Sequence, residues 1–298
     1  MIYTVTFNPS LDYYMFLDHL SDGKTNRSDK TEIQFGGKGL NVSYVLNQLG
    51  CENKAITFVG GFTGDFLKKS ATKAGIKGDF IPLTCGETRI NVKLKCENET
   101  EINTKGPTLT RADTDEFLSR LDNLSSGDYL VLSGSIPPFE DEDLFQKIFA
   151  KLESRGVFSV LDTSGKRLLE LLKYKPLLIK PNLDELEALF DDTLDCEEKV
   201  IGAMKTLKEM GAKNVLVSKG KDGAVLLDTQ NKFFSIPAVE VEVVNTVCSG
   251  DSMLAAFLVG YEKGSEYALK LGTAAGAANA AKISLPTGEE ILRIFKNM

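Results

Sequence analysis

The chain has 298 residues, 42% apolar and 26% charged, a composition that suits a globular protein with room for a sizeable core. Acidic residues number 42 and basic residues 35, so the net charge is −7. This argues against a general nucleic-acid or anionic-membrane surface but leaves room for a local basic pocket. One histidine, His19, and five cysteines without a C-x-x-C pair argue against a His-rich metal site, a Ser-His-Asp triad, a zinc site and a disulfide framework.

At about 150 residues per domain the length suggests up to two domains, although α/β folds of this size often form one. The opening Met1–Phe7 lacks the charged stretch and cleavage site of a signal peptide. No apolar run approaches the roughly 18 residues of a membrane span, and a reducing cytoplasm is the expected compartment.

The elements are read in chain order. Residues 11–34 are polar and aromatic and break any α/β pattern. Gly36-Gly37-Lys38-Gly39-Leu40-Asn41 then opens a helix, because Val42, Val45, Leu46 and Leu49 share one face and Gly50 stops it. Glycines before a helix let backbone N–H groups approach an anion, and Lys38 adds a cation. The same cluster also reads as a tight turn, and it matches neither G-x-G-x-x-G nor the Walker loop. Residues 88–105 read as two strands around Glu97-Asn98-Glu99, with Ile90, Val92, Leu94 and Cys96 on one face. With residues 11–34 they suggest a small antiparallel element outside the main sheet. It is either a lid or a pair of surface hairpins, and periodicity does not choose between them.

From about residue 128 short apolar runs alternate with helical stretches. The runs are Tyr129–Leu132, Val157–Leu161, Leu177–Ile179 and Val215–Val217; the helices include Asp141–Ser154 and Lys199–Met210. This is the pattern of a mostly parallel sheet with helices on both faces, whose ligands sit at the carboxyl ends of the strands. Ser133-Gly134-Ser135-Ile136-Pro137 ends one strand, where a small polar loop approaches a ligand or simply turns. Asn182 and Glu185 have capping-box spacing, as do Thr287 and Glu290. Asn182 and Glu185 differ in following a strand directly, where oxygen ligands could orient waters on Mg²⁺. Asn245–Asp251 precedes a helix with Leu254, Phe257, Leu258 and Tyr261 on one face. It offers an anion-binding nest with Asp251 in the first turn. Asp251 reads as a favourable dipole contact or as a base beside a phosphate cradle. Arg27, Lys38 and Arg89 are cations beside the glycine and lid segments. Together they suit a substrate phosphate; singly each suits solvent.

Taken together, these segments resemble the PfkB carbohydrate kinase group of the ribokinase-like family. The match runs through Asn8-Pro9-Ser10-Leu11-Asp12, Asn26-Arg27, Gly36–Asn41, Gly60–Gly64, Thr88–Lys93, Glu99–Asn103, Ser133–Pro137, Lys180-Pro181-Asn182, Val215–Ser218 and Gly250–Met253. The resemblance implies a single α/β kinase domain over 1–298 with a small β-sheet lid from the 11–34 and 88–105 segments. It also implies ATP and Mg²⁺, and a homodimer through the lid. No nucleic-acid or membrane partner is expected. By resemblance, Asp251 is the catalytic base, and Cys248, Ser249 and Gly250 are the anion hole. Asp12, Gly37, Lys38, Asn41 and Ser133 hold the sugar, and Arg27 and Arg89 hold its phosphate. Lys180, Asn182, Ser218, Gly220 and Gly223 serve the nucleotide, and Glu185 serves the metal through water. The implied reaction is phosphorylation of a ketohexose phosphate, first fructose 1-phosphate to fructose 1,6-bisphosphate. The alternatives are tagatose 6-phosphate, then fructose 6-phosphate, or sugar-phosphate binding without turnover. A dinucleotide oxidoreductase is disfavoured by the missing G-x-G-x-x-G.

Two positions depart from the family pattern. Cys248 stands where glycine is usual. If that glycine needs positive φ, cysteine is strained there. A thiol beside a helix N-terminus is also a candidate for oxidation. Lys219 stands where an apolar residue is usual; it either contacts nucleotide phosphate or faces solvent, and solvent is the favoured reading.

Overall fold

The computed structural model of the protein describes residues 1–97 and 99–298. The chain begins with β1 (Ile2–Thr6), β2 (Ser10–Phe16), β3 (Lys30–Gly36), α1 (Lys38–Gln48), β4 (Asn53–Val59), α2 (Gly61–Lys73) and β5 (Gly78–Pro82). It continues with β6 (Arg89–Lys95), β7 (Thr100–Asn103), α3 (Arg111–Arg120), β8 (Tyr129–Ser133), α4 (Leu144–Arg155), β9 (Phe158–Asp162) and α5 (Lys166–Leu172). Next come β10 (Leu178–Ile179), α6 (Leu183–Phe190), α7 (Glu197–Glu209), β11 (Asn214–Ser218), β12 (Ala224–Leu227) and β13 (Phe233–Ile236). The helices α8 (Ser249–Gly260), α9 (Ser265–Ala280) and α10 (Gly288–Asn297) close the chain.

The main sheet has nine strands in the order β13-β12-β11-β10-β9-β8-β1-β4-β5. It is parallel from β5 to β11, and β12 and β13 add an antiparallel edge. Alternation along the strands makes two cores. Tyr3, Val5, Leu130, Leu132, Val215 and Val217 join one, with Phe58, Phe117 and Phe149. Ile2, Val131 and Leu216 point the other way, toward α1, α8 and α9 and their Val45, Leu254 and Ala275. Helices therefore cover both faces, as expected. No helix among the described residues is long and apolar enough to cross a membrane.

The α/β alternation starts at β1, not near residue 128. Two strands inserted between β1 and α1 hide it in the sequence. Some boundaries also differ. Strand β10 has two residues, because Pro181 follows Lys180 and has no N–H to continue a ladder. Helix α4 begins at Leu144, and Asp141 instead accepts from Lys147 Nζ at 2.7 Å.

The odd segments form a second sheet in the order β3-β2-β6-β7. They pair antiparallel except β2 with β6, which is parallel, so the element is mixed where antiparallel pairing was expected. Its register puts Ile33, Tyr13, Val92 and Ile102 in one cross-strand row. Asp12, Asn91 and Asn103 lie in the adjacent row, on the opposite face, and line the cavity described below.

Candidate active site

The carboxyl ends of the strands and the lid enclose one cleft of about 1270 Å³. The end of β1 supplies Thr6 and Asn8; the loop after β8 supplies Gly134 and Ser135; β11 ends at Ser218. Helices α1 and α8, on the same face of the sheet, bring their N-termini here with Lys38 and Asp251. Two positive dipole ends thus converge on one space.

Gly37 is the N-cap of α1, with φ 131°. A Cβ there would lie 2.6 Å from Thr6 Cγ2, so only glycine lets the turn lie this close to β1. The cluster is a tight turn, and its Gly37 and Lys38 line the cleft.

Cys248 is the N-cap of α8 in the left-handed conformation, φ 67° and ψ 0°. The positive φ is kept and cysteine carries its strain. Ser249 N–H is taken by Thr246 O at 3.2 Å. The N–H groups of Gly250 and Asp251 donate to no acceptor among the described residues, so they are the open part of the nest. Asn279 of α9 pins this loop by donating to Val247 O at 2.6 Å and Ser249 Oγ at 3.2 Å. Nothing in its spacing marked Asn279 in the sequence.

Asp251 is buried, and its Oδ2 accepts from Asn41 Nδ2 at 2.8 Å. Burial pushes its carboxyl up to about 6, with Asp162 adding to the rise while Lys38, Asn41 and Lys180 oppose it. The same Asn41 amide donates to Cys248 Sγ at 3.2 Å. Burial, then Asp251 and Asp12, push the Cys248 thiol well above its ordinary value. Burial thus disfavours the thiolate, the form on which oxidation depends.

In an adjoining cavity that shares Lys38 and Glu185 with the cleft, Asp162 at the end of β9 is 1% exposed. Its Oδ1 lies 3.2 Å from Lys180 Nζ and 3.5 Å from Lys38 Nζ. Burial favours its neutral form, but Lys180 and Lys38 outweigh this and hold it below the usual carboxylate range. Lys38 is raised, with Asp162 the main cause against opposing burial.

The lid side of the cleft is polar. Arg89 donates from Nε to Asn8 O at 3.3 Å and from Nη1 to Thr104 O at 2.7 Å, so its guanidinium is fixed without a carboxylate. Lys93 is buried and paired to Glu101 at 2.6 Å. Asn91 donates to Asp12 Oδ1 at 3.1 Å, while its own buried Oδ1 has no partner. Sequence reasoning named neither Asn91 nor Lys93 individually, although strand alternation from Arg89 would have selected both.

At the opposite end, Asn182 and Glu185 form the capping box of α6 and also face the cleft. Glu185 spends Oε2 on Asn182 N–H at 2.9 Å. Its Oε1 takes no bond among the described residues, so an oxygen is left for a hydrated cation. No cluster of three or more His, Cys, Asp or Glu side chains suited to a metal occurs among the described residues. Thr287 and Glu290 form a capping box outside the cleft lining, and Glu290 also pairs with Lys282 at 2.9 Å.

The cleft gathers Asp12, Gly37, Lys38, Asn41, Arg89, Lys180, Asn182, Glu185, Ser218, Gly220, Gly223 and Cys248–Asp251. Two expected residues lie outside its lining. Ser133 is buried at the end of β8, and Gly134 and Ser135 after it reach the cleft instead. Arg27 is exposed in the loop between β2 and β3. This loop folds on itself, with Asn26 bonded to Ser21 and Ser28 to Phe16 O. Lys219 is half-buried and lines the cleft.

The pattern of the pfkB family carbohydrate kinase matches residues 5–290. The chain is 40% identical over 298 residues to 1-phosphofructokinase of Bacillus subtilis, covering 99% of this chain and 97% of that one. It is 37% identical over 283 residues to D-tagatose-1-phosphate kinase of Bacillus licheniformis, covering 94% and 92%. The crystal structure of phosphofructokinase-2 from Escherichia coli in complex with fructose-6-phosphate matches at a TM-score of 0.91 with 28% identity, covering 99% and 98%.

Proposed function

The chain belongs to the pfkB family of carbohydrate kinases, and on that footing we propose that it phosphorylates fructose 1-phosphate with ATP, giving fructose 1,6-bisphosphate and ADP. The carrying observation is Asp251: a buried carboxylate held through Oδ2, with Oδ1 left over, beside unfilled N–H groups of α8. Asp251 takes the proton of the acceptor's C6 hydroxyl. That oxygen attacks the terminal phosphorus of ATP, the bond to the bridging oxygen breaks, and ADP departs. The Gly250 and Asp251 N–H groups hold the charge on the transferring phosphoryl. Asp12, Lys38, Asn41 and Asn91 orient the sugar, and Arg89 holds its phosphate. Lys180, Ser218, Gly220 and Gly223 accommodate the nucleotide. Glu185, with Asn182, would hold hydrated Mg²⁺, which neutralises phosphate charge when bound.

A single kinase domain spans the chain, and the lid sheet excludes water from the cleft. Its outer row of Ile33, Tyr13, Val92 and Ile102 is apolar, with Ile33 44% and Ile102 55% exposed. This row supports a homodimer joined through the lids. The identity to a tagatose-1-phosphate kinase supports tagatose 1-phosphate as a second acceptor. An ADP-release assay comparing the 1- and 6-phosphates of fructose and tagatose by kcat/KM tests the assignment. Preference for a 6-phosphate would overturn the proposed acceptor while keeping the base. No turnover with any of the four would favour the binding-protein reading.

A further inference from the structure

We infer that Asp162 is a positioning residue of the transfer site, setting Lys38 of the acceptor side and Lys180 of the donor side about one carboxylate oxygen. The inference rests on the reading of Asp251 as base.

The geometry is unusual for a simple buried ion pair. Both ammonium groups contact Oδ1, while the buried Oδ2 has no hydrogen-bond partner among the described residues. A carboxylate with two oxygens to offer has concentrated both cations on one. Removing such a group from water is costly, so a mere structural filler here would be poor. The two contacts are also unequal. The Lys180 side chain is 4% exposed, at 3.2 Å; the Lys38 side chain is 40% exposed, at 3.5 Å. Lys180 is thus fixed, and Lys38 is held at reach but free to turn toward an arriving phosphate. Lys180 in turn sits under the nest, since a Cβ on Gly250 would lie 3.0 Å from its Nζ. One carboxylate therefore spaces two cations that face the same reacting centre from its two sides.

Asp162 acts on Asp251 as well. The groups that bear on Asp251 are Lys38 and Asn41 from α1, Asp162 from β9, Lys180 from the segment after β10, and Cys248 at the start of its own helix. Of these the Asp162 charge opposes ionisation of Asp251, and the two lysines favour it.

The test is the pH profile of kcat in Asp162→Asn and Lys180→Gln beside wild type, with circular dichroism to check folding. Asp162→Asn removes a negative charge and frees two cations, so its acid limb moves to lower pH. Lys180→Gln removes a positive charge, so its limb moves to higher pH. At the optimum, kcat falls by about 10–100-fold in both, while KM for each substrate changes less than kcat does. A purely structural role would lower stability and leave the limb of the folded enzyme where it was. An unmoved limb in folded Asp162→Asn overturns the inference. Should that variant not fold, the Lys180→Gln limb decides in the same way. If wild type shows no acid limb, the base assignment fails and takes this inference with it. A wild-type limb that Asp162→Asn does not move condemns the inference alone.

Discussion

Asn41 holds Asp251 by one bond, 2.8 Å from Nδ2 to Oδ2, joining the first turns of α1 and α8 across the floor of the cleft. The bond fixes the carboxylate and leaves Oδ1 for a substrate hydroxyl. Asp251→Asn keeps the shape and removes the base. We expect nucleotide affinity to stay within a few fold and turnover to fall by about 10²–10⁴. Calorimetric nucleotide titration and single-turnover kinetics measure the two effects. A kcat near wild type would reject Asp251 as the base.

The raised carboxyl of Asp251 also makes a pH prediction. With its native value near 6, the ionised base disappears as pH falls through 6, so kcat declines there with unit slope. Stability runs the other way. Asp251 titrates from 3.8 when unfolded to about 6 when folded, so the native state binds the extra proton between these values. Stability contributed by this group is therefore present below 3.8, lost as pH rises through about 6, and absent above. Asp251→Asn should accordingly be more stable than wild type at pH 8, by up to ~3 kcal/mol, and the gap should shrink toward pH 4. Urea unfolding at the two pH values checks the sign.

Cys248 carries a strained φ of 67° at the start of α8. Left-handed backbone costs a non-glycine residue roughly 1–2 kcal/mol, and glycine gives back about 0.5–1 through its looser unfolded chain. Cys248→Gly should then gain about 0.5–1 kcal/mol. Because burial keeps the thiol protonated, peroxide should inactivate wild type and the variant alike only slowly. Thermal unfolding reads the first effect. Rapid loss of wild-type activity in dilute peroxide, absent in the variant, would contradict the second.

Arg89 is anchored through Nε and Nη1 to two backbone carbonyls, which aims the rest of its guanidinium without neutralising it. Arg89→Ala should raise KM for the sugar phosphate by about 10–100-fold, the worth of a charged hydrogen bond, and leave KM for ATP nearly unchanged. An equal rise in both would show that the lid as a whole has collapsed.

The main sheet after residue 128 was legible because its strands are nearly all-apolar and separated by helical periods. The earlier half was not. Between β1 and α1 the chain leaves the sheet for β2 and β3, so strand and helix are no longer neighbours in sequence. The glycine clusters and Asp251 could be found because a helix start needs local signals. Asp162 could not: it ends an ordinary strand, and only the fold brings Lys38, 124 residues away, to it. Asn279 was hidden for the same reason, on the far helix that pins the nest. Arg27 shows the converse, a residue picked out by its motif that one chain leaves outside the cleft lining.

The lid's outer row makes the last prediction. Alternation along β6 puts Asn91 and Lys93 toward the cleft and Val92 away from it, and register extends that row to Ile33 and Ile102 on the two edge strands. An apolar row across four strands is a surface that water disfavours and a second lid could cover. Ile102→Lys places a charge in that row while leaving every cleft residue in place. We expect wild type to sediment as a dimer and Ile102→Lys to shift toward monomer at micromolar concentration. A monomeric wild type would remove the lid dimer from the proposal. A variant that remains dimeric would move the interface elsewhere.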